Sequence, residues 1–98
     1  MNKKITFKEF AIFVQVGKPD DAAMALSVIL DLDDDIAEKA TQFFINKLKT
    51  DSNMFKKLMN LRVQIEQSEN SAMQTLMECF DFSGPQLIEV MHVLKTIV

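Results

Sequence analysis

Ile29-Leu30-Asp31-Leu32-Asp33 and Cys79-Phe80-Asp81-Phe82-Ser83 stand 50 residues apart in this chain and read as the same feature. In each, an apolar helix end runs into a tight connection whose Asp or Ser can accept hydrogen bonds from the first free amides of the next helix. Two such joins predict two helical hairpins. At the same offset Ala22 aligns with Ala72 and Leu26 with Leu76. The match is weak in letters and clearer in pattern. The hairpins therefore read either as a pseudo-repeat or as two joins made alike by the few solutions that capping chemistry allows.

Upstream of the first join, residues 22–30 (Ala22-Ala23-Met24-Ala25-Leu26-Ser27-Val28-Ile29-Leu30) hold no charge, which predicts a helix buried nearly all round. Asp20 or Asp21 is its expected cap, and Gly17 and Pro19 stop whatever precedes it. Thr6-Phe7-Lys8-Glu9 matches a capping box, and Phe7, Phe10, Phe13 and Val14 follow at helical spacing, so a first helix is expected over roughly 7–16. Ile12, Val14 and Val16 alternate and are β-branched, leaving a short strand or a flexible N-terminal arm over residues 1–18 as alternatives.

Downstream, Asp33 or Asp34 caps a third helix whose Ile36, Ala37, Ala40, Phe43, Phe44 and Leu48 form an apolar stripe, with Lys39, Gln42, Asn46 and Lys49 on its wet side. Asp51 or Ser52 starts a fourth. There Met54, Leu58, Leu61 and Ile65 form a seam widened by Phe55 and Met59. Ser68-Glu69-Asn70-Ser71 reads as a polar linker before a fifth helix containing Ala72, Met73, Leu76, Met77 and Phe80. Ser83-Gly84-Pro85-Gln86 opens the last helix with Ser as cap, Pro in the first turn and Gln reaching back to the cap residue.

The chain has 98 residues, 48% hydrophobic and 26% charged, with two Gly and two Pro. That length suits one domain with one core, and that composition lacks the turn residues an all-β domain needs. The expectation is a single all-α domain over residues 1–98, a compact bundle of five to six short helices with the fourth between the two hairpins. Cys79 is the only cysteine, so an internal disulfide and a cysteine-based metal cluster are both excluded, which favours a reducing compartment. Lys3 and Lys4 precede an apolar run as in a secretion signal, but Lys8 and Glu9 interrupt it. No stretch approaches the ~20 apolar residues of a membrane span. A cytoplasmic location without a membrane partner is therefore expected.

The chemistry-bearing residues form no recognisable catalytic or ligand-binding constellation. His92 is the only histidine, leaving no recognisable His-ligated metal spacing. A Cys79–His92 dyad can be drawn across the last hairpin, but Cys79 adjoins Phe80 at an apolar helix end, whereas a nucleophilic thiol needs a lowered pKa and partial exposure. Asp31, Asp33 and Asp35 fall on the first three ligand positions of an EF-hand loop. The loop then fails at Ile36, where Gly makes the turn, and at Gln42, where a bidentate Glu is required. No glycine-rich phosphate loop or nucleophile elbow is present. The sequence predicts no enzyme, cofactor, metal or small-molecule ligand.

Charge runs in alternating blocks. Residues 20–40 carry six Asp and Glu38 against Lys39, while residues 41–62 carry Lys47, Lys49, Lys56, Lys57 and Arg62 against Asp51. The bland reading is solvated faces with acids at helix starts, where the helix dipole favours them. The first join resembles the turn of helix-turn-helix DNA readers in layout, but its acidic surroundings repel a polyanion. The second function considered is thus a nucleic-acid-associated regulator using Lys47, Lys49, Lys56, Lys57 and Arg62 as its anionic-partner face.

The first function considered is a non-enzymatic protein-interaction or regulatory module that self-associates. Leu87, Ile88, Val90, Met91, Val93, Leu94, Ile97 and Val98 leave the last helix only a narrow polar strip, so it asks for apolar partners on two sides. Homodimerisation is expected through Leu87, Met91, Leu94 and Val98, aided by Phe7, Phe10 and Phe13. Met24, Met54, Met59, Met73, Met77 and Met91 all fall at helix positions suited to core filling, or to an adaptable groove.

Overall fold

The computed structural model describes residues 6–97. Six helices follow one another: α1 (Phe7–Gln15), α2 (Pro19–Leu30), α3 (Asp34–Leu48), α4 (Met54–Gln67), α5 (Glu69–Phe80) and α6 (Gly84–Ile97). No strand occurs among the described residues, so the fold is an all-α bundle. Residues 7–15, open to three readings from sequence, are helix, and Phe10 within them is completely buried. Lys3, Lys4 and Val98 lie outside the described residues.

Both joins form, but their aspartates serve the helix that ends. Asp31 (φ 54°) and Asp81 (φ 62°) adopt the left-handed conformation that closes a helix C-terminus. The Leu32 amide donates to the Ser27 carbonyl at 3.0 Å, and the Ser27 hydroxyl donates to the Leu32 carbonyl at 2.8 Å. At the second join the Asp81 amide donates to the Met77 carbonyl at 3.0 Å. Asp33 is the N-cap of α3 by position, yet its side chain makes no capping bond, and neither does Thr6 before α1.

Other helix starts also differ from expectation. α2 begins at Pro19 after Lys18, which places Asp20 and Asp21 in its first turn rather than at the cap. There they complement the positive end of the helix dipole. Asp51 precedes α4 and accepts from the Asn53 amide at 2.9 Å, so helix starts at Met54. The supposed linker shrinks to one residue. Ser68 ends α4 and caps α5, its hydroxyl accepting from the Ser71 amide at 3.4 Å.

The offset of 50 survives in packing. From residue 31 to 44 and from 81 to 94 the order of buried, half-buried and exposed positions is the same, so Ala37, Ala40, Thr41 and Phe44 occupy the places of Leu87, Val90, Met91 and Leu94. Side-chain size separates the copies. α2 and α3, whose buried faces hold Ala22, Ala23, Ala25, Ala37 and Ala40, lie closely along each other, whereas the backbones of α5 and α6 approach over a much smaller area. Small residues allow backbones to come near, and Leu87 and Val90 hold them apart.

One hydrophobic cluster draws on all six helices. At its centre the rings of Phe10, Phe44 and Phe80 meet at centroid distances of 5.4 to 5.8 Å, with Phe55 and Phe82 added at 5.5 Å. These are edge-to-face and offset arrangements that aromatic quadrupoles favour. The Cα radius of gyration is 12.3 Å, close to the ~13 Å of a compact 100-residue domain.

Candidate interaction surface

The residues nominated for an apolar interface are mostly occupied by the core. Phe10, Leu87, Met91 and Leu94 are buried, and Phe7 and Phe13 are half-buried against the same cluster, Phe7 lying over Phe80. The correction has a simple cause. Positions 87, 90, 91 and 94 are one helical face, and α6 turns that face inward. On its other side Ile88 is strongly exposed, at 65%. The pairing of Ala37 with Leu87 and Phe44 with Leu94 at the offset of 50 was the signal that could have placed these residues inside.

α2 corrects the expectation in the opposite direction. Lack of charge does not bury it all round: Met24 is 67% exposed and Val28 60%. Three of the six internal methionines, Met24, Met59 and Met77, lie at the surface. Met54 and Met91 are buried and Met73 is half-buried.

The exposed large apolar residues fall into a pattern. Ile12 on α1 with Val16 at its C-cap, Met24 and Val28 on α2, and Met59 and Val63 on α4 are each spaced i, i+4, so each pair makes a ridge one turn long, while Met77 and Ile88 stand singly. The α2 pair is bounded by Asp20, Asp21 and Asp31, all exposed. The α4 pair is bounded by exposed Lys56 and Arg62, with Glu66 at its C-terminal end.

The proposed basic face divides. Lys57 is held by Asp51 at 2.9 Å and by Glu78 at 3.6 Å, linking the turn before α4 to α5. The Lys57 hydrogen bond, with the Asn53 amide second, holds the Asp51 carboxyl below its ordinary range; the same bond raises the Lys57 ammonium. Lys47, Lys49, Lys56 and Arg62 have no carboxylate within 4.0 Å among the described residues, and Lys47 lies 5.8 Å from the Phe43 ring centroid. Lys95 pairs with Glu69, joining α6 to the start of α5.

Cys79 and His92 do not form a reactive pair. Burial, then the charge of Glu78, pushes the Cys79 thiol up to about 12, so it carries a proton at neutral pH. His92 is exposed on α6 beside an open groove of about 410 Å³ between the end of α2 and α6, lined by Leu30, Asp31, Ile88 and Glu89 among others. Asp31, Asp33 and Asp35 are divided between a helix end, a cap position and a helix start. Among the described residues no group of three or more His, Cys, Asp or Glu is placed to hold a metal ion, and no helix is long and apolar enough to cross a membrane. Comparison with protein families, curated proteins and solved structures finds no match to the chain.

Proposed function

We propose that this protein is a non-enzymatic protein-interaction or regulatory module that associates with itself. The observation that carries the reading is the set of exposed apolar pairs on α1, α2 and α4. Scattered surface apolar residues are ordinary, whereas ridges of two on three separate helices are adaptable contact points of the kind methionine-bearing interfaces use. The expected contact is not the buried face of α6 but these outer ridges. Light scattering behind a sizing column, across a concentration series and at two salt levels, tests it. Mass rising above the 11.2 kDa of one chain supports the reading, and a constant 11.2 kDa up to millimolar concentration removes it.

Lys47, Lys49 and Lys56, without carboxylate partners around the α3–α4 turn among the described residues, favour a nucleic-acid-associated role as the second reading. Retention on DNA or RNA that falls steeply with salt supports it, and indifference dismisses it.

A further inference from the structure

The α2 and α4 ridges are complementary in two independent respects. Each presents two apolar side chains one turn apart, Met24 and Val28 on α2, Met59 and Val63 on α4, between 42% and 67% exposed. Their surroundings have opposite sign. Asp20, Asp21 and Asp31 border the first, and Lys56 and Arg62, with Glu66 at the C-terminal end, border the second, leaving it net positive. The charge continues beyond each ridge, through Asp33, Asp34 and Asp35 at the N-terminal end of α3 and through Lys47 and Lys49 at its C-terminal end.

The acidic and basic residues form no direct ion pair with each other among the described residues, where the three present are Lys57 with Asp51, Lys57 with Glu78, and Lys95 with Glu69. Asp31 and Asp33 to Asp35 lie at the opposite end of the 15-residue α3 from Lys47 and Lys49, about 20 Å away at the α-helical rise, whereas Asp20 and Asp21 open α2, which runs back along α3. Helix-dipole compensation accounts for acids at the start of α3 and bases at its end. It does not account for exposed apolar pairs beside both.

We infer that the α2 ridge of one copy docks on the α4 ridge of the next, Met24 and Val28 against Met59 and Val63, with Asp20, Asp21 and Asp31 facing Lys56 and Arg62. This rests on the self-association proposed above and specifies its geometry. The two surfaces share no residue, so a single contact is heterologous and leaves a free basic ridge on one copy and a free acidic ridge on the other. Such contacts extend into chains, or close into a ring if the rotation permits, the smallest ring being a two-fold dimer in which both α2–α4 contacts form at once. The charges govern encounter and register and weaken with salt; the apolar pairs supply the dry centre.

The test uses the full chain and two kinds of variant at exposed positions. Met24→Lys places a cation on the acidic ridge, and the double variant Lys56→Glu with Arg62→Glu reverses the basic one. Val28→Lys and Val63→Glu are second variants for each ridge, and circular dichroism verifies that each is folded. Wild-type mass is expected to rise with concentration to at least twice 11.2 kDa. Either variant alone should be monomeric, its association at least tenfold weaker. An equimolar mixture of a Met24→Lys chain and a Lys56→Glu/Arg62→Glu chain should stop at a dimer, because one intact ridge of each kind remains.

If wild type associates while the folded variants associate equally well, the ridge geometry is overturned and self-association stands. If wild type stops at a dimer that the ridge variants abolish, both contacts close about a two-fold axis and the ridge pairing stands; a dimer that the variants leave intact overturns it. A monomeric wild type overturns both. Variants at Lys56 and Arg62 that change only retention on nucleic acid, with the mass series unaltered, assign the basic ridge to the polyanion instead.

Discussion

Thr41 and Thr75 are the buried polar side chains among the described residues, and their hydroxyls are in opposite circumstances. Thr75 Oγ1 lies 2.6 Å from Gln64 Oε1 and 3.1 Å from the Ser71 carbonyl, so its proton has an acceptor on α4 or within α5. Thr41 Oγ1 has no partner among the described residues. A buried polar group left unpaired costs roughly 1–3 kcal/mol. Thr41→Val replaces that hydroxyl by a methyl of similar size and should raise stability by about 1 kcal/mol. Thr75→Val should lower it by about as much, because Gln64 loses its donor. Urea denaturation of both variants gives the sign, and a loss at Thr41 would mean that its hydroxyl is satisfied. Cys79 supplies a pH dependence. Its thiol has an ordinary value of 9.0 and reaches about 12 in the fold, so between these limits the unfolded chain gives up a proton that the native state retains. Stability should fall there, by no more than about 1.4 kcal/mol per pH unit. Lys57, raised above its ordinary 10.5, acts in the same direction: its contribution is present below 10.5 and is lost as pH rises through the folded value. Asp51 acts at the acid end, its contribution present above 3.8 and lost as pH falls through the lowered folded value. Cys79→Ala, though less stable throughout, should show no decline from pH 9 to 10; a decline unchanged from wild type would locate its origin elsewhere.

The two hairpins show how one pattern of burial accepts two sizes of side chain. α3 presents Ala37 and Ala40 inward where α6 presents Leu87 and Val90, and the close α2–α3 approach depends on the smaller pair. Ala40→Leu should therefore overpack and destabilise by about 1–3 kcal/mol, whereas Val90→Leu at the matching position should be tolerated within about 1.5 kcal/mol. Equal losses at both sites would mean that the difference in approach has another cause. The element order was legible in the sequence because the periodic stripe of α3, with Lys39, Gln42, Asn46 and Lys49 outward, and the paired joins leave few alternatives. The orientation of α2 and α6 was not. A helix with too few polar residues has no face that its own sequence sends to water, and only its neighbours decide. Thus Met24 and Val28 face out of an uncharged helix, and Leu87, Met91 and Leu94 face into the bundle from a helix that read as two-sided. The charged borders of the α2 and α4 ridges were visible as charge blocks from the start, but without the exposures of Met59 and Val63 nothing linked them to an apolar contact.

At the scale of the whole molecule the pseudo-repeat raises the question of whether the halves, α1–α3 and α4–α6, are separate folding units. Each has about 50 residues, a length at which burial is marginal for independent stability. Their aromatic residues do not respect the division. Phe10 of α1 and Phe44 of α3 both pack on Phe80 of α5, Phe44 also meets Phe55 of α4, and Phe82 of the second join closes on Phe80. Removing either half would expose the other's share of this cluster, so the two should unfold as one cooperative unit. Cys79 makes the prediction measurable in a chain without Trp or Tyr. It is fully buried in the second half, and its thiol is blocked from an aromatic disulfide reagent until that half opens. The free energy of opening obtained from thiol labelling should equal the free energy of unfolding obtained from helical circular dichroism over the same denaturant series. A labelling free energy smaller by more than about 1 kcal/mol would show that α4–α6 opens while α1–α3 holds. The shared phenylalanine cluster would then bind the halves more weakly than each binds itself, and the repeat would mark a boundary in stability as well as in sequence.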